Sequence, residues 1–196
     1  YIPDMGPEGL NEFSRYFYPQ LDKEGLIIDD RANGGGNVSP MILERLSREP
    51  YRLTMGRGTK RVGTIPDAVQ VGPKVCLINK YSASDGDLFP WGFRALGLGK
   101  LIGTRTWGGI VGISGPLPYM DGTDIRVPFF TSYDVKTGQW IIENYGVDPD
   151  ILIDNDPVKE WNGEDEQLNK AIEEVMKELQ DRKPLPPVPT PRDFSK

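Results

Sequence analysis

The fold of this chain is decided by residues 74–87, which read KVCLINKYSASDGD. The first five, Lys74–Ile78, include a continuous apolar run, the pattern of a strand covered on both faces. The small and polar residues that follow predict a turn, and a helix is expected from Asp85 to Leu96, ended by Gly97. Ser84 therefore lies where a buried strand turns into a helix.

A second strand–turn–helix unit lies nearer the start of the chain. Gly25–Asp29 contains another apolar run, and Gly34–Gly36 forms a glycine turn at its carboxyl end. Ser39 is expected to cap a following helix over Met41–Leu46. Two such units indicate an α/β layered domain, in which ligands gather at the carboxyl ends of the strands.

The rest of the chain supplies further elements. Residues 10–17 predict a short helix, residues 100–103 a short strand, and residues 168–179 a C-terminal helix with one apolar stripe. Segments 124–133 and 139–142 predict a β-hairpin around residues 136–138. We place the end of the domain at residue 182, because residues 183–196 carry five prolines and are expected to be extended.

Composition excludes several classes of protein. The net charge of −6 disfavours nucleic acid as a partner. No apolar run approaches the roughly 20 residues that a membrane-spanning helix needs. One cysteine, Cys76, excludes an internal disulfide or a multi-cysteine metal site.

The chain begins Tyr1-Ile2-Pro3 without an initiator Met. These residues read like the end of a strand whose beginning is missing, and we expect the chain to be a piece of a larger protein.

Acyl transfer requires a nucleophilic oxygen, a base and N–H donors for the oxyanion, and the turn at Ser84 could supply the first and the last of these. The Asp85 amide at the start of a helix is one candidate donor, and the glycine turn Gly34–Gly36 could bring a second. From spacing alone, a plain helix cap and a plain glycine turn explain these residues better than catalysis does. The chain contains no histidine, so a usual imidazole base would have to come from elsewhere.

Four motifs in order resemble the tail-specific and tricorn-type serine peptidases, peptidase family S41. Residues 25–37, GLIIDDRANGGGN, are similar to that family's Asp-x-Arg-x-Asn-Gly-Gly-Gly signature, and residues 79–87 to its nucleophile turn. Residues 103–109, GTRTWGG, and residues 143–150, ENYGVDPD, resemble two further stretches. The resemblance covers nearly all of residues 1–179. It implies a fold of the crotonase-like or Clp-type ββα spiral.

The departures from the family pattern select the tricorn type. Tail-specific members use a Ser–Lys dyad, and the matching lysine position here is Gly109, which cannot act as a base. The tricorn resemblance implies that Ser84 is the nucleophile and that Glu143 orients a Ser–His pair lying before Tyr1. It also implies oxyanion donors in the N–H groups of Asp85 and of Gly35 or Gly36.

The same resemblance implies the partners of the chain. Peptides would be the substrates, with Trp107 and Gly108 near the site as candidate substrate-binding residues. The upstream subdomain of the parent would complete the site, and a homo-oligomer is expected. No cofactor or metal is implied, and we interpret the acidic residues 154–166 as a solvated loop. We expect Asp29 and Arg31 to form structural hydrogen bonds that support the glycine turn.

Two other functions fit parts of the pattern. One is a non-catalytic module of the same fold that binds a hydrophobic ligand or a peptide; the intact pair of Ser84 and Glu143 argues against it. The other is a crotonase-like enzyme acting on acyl-CoA, which the net negative charge disfavours because that ligand carries several phosphates.

Overall fold

A computed structural model describes residues 1–59, 62–113, 115 and 117–190. The helices are α1 (Pro7–Phe17), α2 (Ser39–Leu46), α3 (Asp85–Ala95), α4 (Pro157–Trp161) and α5 (Glu166–Gln180). The strands are β1 (Leu26–Asp29), β2 (Arg52–Met55), β3 (Val62–Ile65), β4 (Lys74–Ile78), β5 (Gly99–Gly103), β6 (Gly112–Ile113), β7 (Leu117–Pro118), β8 (Asp124–Ile125), β9 (Pro128–Phe130) and β10 (Ile151–Leu152).

The centre of the molecule is a parallel four-stranded sheet in the order β1-β4-β5-β10. Every residue of β4 is buried, as its apolar run predicts. One face of the sheet packs through Ile28, Cys76 and Leu101 in a core that also contains Phe89 and Phe93 of α3. The other face packs in a smaller core, which is formed by Val75, Leu77, Ile102, and Ala171 and Val175 of α5. The predicted α/β class is confirmed.

The expected cap of α2 is wrong by one residue. The N-cap is Val38, and Ser39 is the first helical residue. Its N–H and hydroxyl donate to the carboxylate of Asp85, at 2.9 and 2.5 Å. Asp85, distant in sequence, therefore satisfies the first N–H group of α2.

The predicted hairpin is reduced to its tip. Tyr133 and Trp140 form an isolated antiparallel bridge, and Asp134 N–H donates to the carbonyl of Gln139 at 2.8 Å. The long strand expected over residues 124–133 is instead two short ones, β8 and β9, which pair with β7 and β6. Pro128 begins β9 and has no N–H to donate, which favours a break there. The antiparallel ribbon of β2 and β3 was not predicted.

The proline-rich tail has no regular secondary structure over residues 183–190, and the prediction for residues 191–196 lies outside the described residues. Residues 185–189 line one cavity together with β2 and Val62 of β3. The boundary at residue 182 stays a prediction. In the described part of the chain, no helix has the length and apolarity to cross a membrane.

Candidate active site

The glycine turn and the serine turn meet because β1 and β4 are parallel neighbours. Ala83 N–H donates to the carbonyl of Asn33 at 2.8 Å. A Cβ added to Gly35 would lie 2.6 Å from Ser84 Cβ and 2.9 Å from the Asp85 nitrogen, so only glycine allows this approach. By standard backbone dimensions, the Gly35 and Gly36 nitrogens lie within about 6 Å of Ser84 Cβ.

Ser84 occupies a strained turn immediately before α3. Its φ of +57° and ψ of −119° are a backbone conformation that residues with a side chain seldom adopt. Its side chain is exposed, although Ser82 and Asp85 beside it are buried. The sharp strand-to-helix turn presents the hydroxyl at the positive end of the helix dipole, the arrangement of a nucleophile elbow.

The N–H groups around Ser84 differ in their availability. Gly35 N–H donates to Asn33 Oδ1 at 3.0 Å. The N–H groups of Gly36 and Asp85 meet no acceptor within the described residues. Unpaired N–H groups near a nucleophile can donate hydrogen bonds to an oxyanion and stabilise its negative charge. Gly36 is therefore a better candidate than Gly35 for the second donor.

Glu143 is tied to the loop of residues 107–111. Its Oε2 accepts from the N–H groups of Ile110 and Val111, at 2.7 and 2.9 Å, and its side chain is partly buried. The next residue, Asn144, donates its N–H to the carbonyl of Gly108 at 2.7 Å. Oε1 of Glu143 accepts no hydrogen bond from the described residues, so one carboxylate oxygen is held and the other is available.

The same loop is tied to the serine turn at its other end. Trp107 N–H donates to the carbonyl of Ser82 at 2.9 Å. Gly108 is buried, and its N–H donates to Asp87 Oδ1 at 2.7 Å. Trp107 itself is 66% exposed, beside Gly109, where an added Cβ would meet the Trp107 ring. The substrate-binding roles of Trp107 and Gly108 stay predictions.

Two buried acids were missed as parts of the site. Asp87 is fully buried, and burial raises the pKa of its carboxyl although hydrogen bonds from Thr106 and from backbone N–H groups partly oppose this. Asp30 follows β1 and is also fully buried. The period-two pattern of Leu26 and Ile28 could have placed Asp30 inward, and the spacing in the Ser-Asp-Gly-Asp run could have singled out Asp87.

The buried carboxyl of Asp30 lies near other acidic side chains. Neither of its carboxyl oxygens has a hydrogen-bond partner in the described part of the chain. Burial, and then the nearby carboxylates of Asp29, Asp85 and Asp87, raise its pKa well above the ordinary value. The backbone of Asp30 nevertheless supports the site, because its carbonyl accepts from Ser82 Oγ at 2.9 Å.

The other polar residues singled out by the sequence have structural contacts. Arg31 contacts Asp29 at 2.7 Å and Asp165 at 2.8 Å, joining the glycine-turn segment to the start of α5. Asp156 and Asp165 cap α4 and α5. Within residues 1–59, 62–113, 115 and 117–190, no group of acidic or cysteine side chains is arranged to hold a metal ion.

Comparison with known proteins identifies the family. The family model of Peptidase family S41 matches residues 2–153. The chain belongs to peptidase family S41. Curated relatives include the tricorn protease of Thermoplasma volcanium, 45% identical over 183 residues, and that of Thermoplasma acidophilum, 44% identical over 182 residues. The resemblance to the tricorn type is thereby confirmed.

The matched relatives are much longer than this chain. The alignment covers 92% of the chain but 17% of the Thermoplasma volcanium protein. A crystal structure of the tricorn protease superposes with a TM-score of 0.84 at 43% identity, covering 91% of this chain and 17% of that one. The photosystem II D1 C-terminal processing protease, at 21% identity and a TM-score of 0.55, shares the fold; the match covers 78% of this chain and 41% of that one.

Proposed function

We propose that this S41 peptidase domain supplies the nucleophile of a serine peptidase and receives its base from outside these residues. The observation that carries the proposal is the exposed Ser84 hydroxyl on a strained turn at the start of α3. Such a serine needs a base to take its proton, and because these 196 residues contain no histidine, an imidazole base would come from a neighbouring subdomain or chain. The greater length of the tricorn relatives supports an upstream part of the same parent polypeptide as its source.

The proposed reaction proceeds through an acyl-enzyme. The imidazole takes the proton of Ser84 Oγ as that oxygen attacks the carbonyl carbon of a peptide bond. The N–H groups of Asp85 and Gly36 would donate to the carbonyl oxygen as it becomes negative. The peptide C–N bond then breaks, the imidazolium protonates the leaving amine, and water hydrolyses the ester on Ser84 by the reverse sequence of proton transfers.

Glu143 would orient the incoming partners. Its Oε2 is fixed by two backbone N–H groups, which leaves Oε1 to accept a hydrogen bond from the Ser–His pair implied by the tricorn resemblance. A carboxylate there also stabilises the imidazolium that forms during the reaction. Trp107 stands exposed next to the site, where its ring could contact a peptide side chain. Assembly into a homo-oligomer stays a prediction.

The test compares this chain with the longer parent polypeptide. We expect a fluorogenic peptide to be hydrolysed by the parent and not at a meaningful rate by the isolated chain. Ser84→Ala in the parent should abolish turnover and labelling by a fluorophosphonate probe. Ser14→Ala, on α1, is the matched control and should change neither. Robust turnover by the isolated chain, or full activity of Ser84→Ala, would reject the proposal.

A further inference from the structure

Asp87 connects the two halves of the proposed site that this chain supplies. Its backbone lies in the first turn of α3, where its N–H donates to the Ser84 carbonyl at 2.9 Å. Its carboxylate reaches across to a different segment, accepting from the N–H groups of Gly108 and Gly109, at 2.7 and 3.3 Å. The side chain is completely buried, so these contacts are shielded from water.

The loop held by Asp87 continues directly to Glu143. The next two N–H groups along the chain, those of Ile110 and Val111, donate to Glu143 Oε2. The chain then closes on itself, because Asn144 N–H donates to the carbonyl of Gly108. Four consecutive amides, those of residues 108–111, therefore donate to two carboxylates. The first two donate to Asp87, close to Ser84, and the next two donate to Glu143, the proposed orienting acid.

We propose that Asp87 is a positioning residue that sets the place of Glu143 relative to Ser84. The inference rests on the proposed function. The inference goes beyond that function because it assigns the relative position of Ser84 and Glu143 to a residue that takes no part in the chemistry. A displacement of about 1 Å between reacting groups can cost roughly 100-fold in rate, so loss of this link should appear in kcat.

A matched carboxylate elsewhere separates positioning from simple stability. Glu174 on α5 is also buried and accepts from Lys100 at 2.5 Å and from Lys170 at 3.0 Å. Its helix covers the other face of the sheet from α3. Replacing Glu174 by Gln removes a buried negative charge that has ion-pair partners, and it leaves the loop of residues 107–111 unchanged.

The experiment uses the parent polypeptide with Asp87→Asn and Glu174→Gln. An asparagine side chain at position 87 keeps one acceptor and presents an N–H₂ group to the second amide, which opens one of the two links. We expect kcat to fall about 10- to 100-fold with KM within about twofold for Asp87→Asn, and kcat within about twofold for Glu174→Gln. Amide hydrogen exchange should rise at residues 108–111 in Asp87→Asn only.

Each outcome decides the inference. An unchanged kcat in a folded Asp87→Asn protein, or an equal fall of kcat in Glu174→Gln, would overturn it. If Asp87→Asn does not fold, Asp87→Glu provides the second variant, because its carboxylate is displaced by one methylene from the N–H groups of Gly108 and Gly109. An unchanged kcat in folded Asp87→Glu would also overturn it. Failure of the unaltered parent to label at Ser84 would instead reject the proposed function, while the hydrogen-exchange comparison would still show whether Asp87 holds the loop.

Discussion

Replacing Asp30 by Asn should change how the stability of this protein depends on pH. Asp30 is completely buried, and its carboxyl has no hydrogen-bond partner in the described residues. Its pKa is raised well above the ordinary value, first by burial and then by neighbouring carboxylates. The folded protein therefore keeps a proton on Asp30 at pH values where the unfolded chain, with a pKa of about 3.9, has released it.

The sign and size of the effect follow from this difference in bound protons. A raised folded-state pKa means that the stabilising contribution is complete below the unfolded pKa and is lost as the pH rises toward the folded one. One extra proton on the folded state lowers the free energy of unfolding by about 1.4 kcal/mol for each pH unit in that window. The amide of an asparagine side chain cannot titrate, so the Asp30→Asn variant lacks this slope.

The assay is urea unfolding of both proteins at half-unit steps from pH 5 to 8. The difference in unfolding free energy, Asp30→Asn minus unaltered protein, should rise by about 1.4 kcal/mol per pH unit until the folded pKa is reached. Any cost of burying the amide is independent of pH and shifts only the offset. Asp121→Asn, on an exposed turn, is the control and should give a flat difference above pH 5. A flat difference for Asp30→Asn would refute the reasoning.

Three further changes test the proposed site in the parent polypeptide. Glu143→Gln keeps one oxygen as acceptor for the two backbone N–H groups but removes the negative charge. We expect kcat to fall at least about tenfold with little change in melting temperature, and an unchanged kcat would contradict the orienting role of Glu143. Gly35→Ala forces a Cβ against Ser84 and should abolish peptide hydrolysis, whereas Gly122→Ala, also at positive φ but with open space around it, should leave kcat unchanged; equal activity of the two variants would exclude a close approach at Ser84. Trp107→Ala should raise KM for peptides several-fold with kcat nearly unchanged, and an unaltered KM would remove this residue from the substrate-binding surface.

Three of the four strands of the main sheet could be predicted because their signals are local, whereas the two-residue β10 was not predicted. The apolar run of β4 and the shorter one of β1 indicate buried strands, and the glycine and serine turns follow from their positions after them. The ribbon of β2 and β3 was missed because none of its residues is buried and it forms a separate two-stranded unit. The long hairpin strand over residues 124–133 was wrong because pairing with β6 and β7, not local pattern, decides where strands run there.

Sequence motifs could predict which residues belong to the site, but not the contacts that hold them in place. The strand–turn–helix pattern and the resemblance singled out Ser84, and the resemblance alone singled out Glu143; their catalytic roles stay proposals. The contacts that organise them join segments far apart in sequence: Asp85 bonds to Ser39, and Asp87 bonds to Gly108. Nothing in the local sequence around Asp85 or Asp87 says which distant N–H group a carboxylate will meet. The complete burial of Asp30 depends on tertiary packing, which periodicity alone does not establish.

The position of α5 in the chain has a consequence for biosynthesis. This helix covers the face of the sheet formed by Val75, Leu77 and Ile102, yet it begins more than sixty residues after β5 ends. At translation rates of about 5–20 residues per second, synthesis of the first residue of α5 follows that of the last residue of β5 by roughly 3 to 13 s. During this interval the aliphatic side chains on this face of the sheet have no helix packed against them. A chaperone that recognises exposed apolar segments could bind the growing chain at these residues.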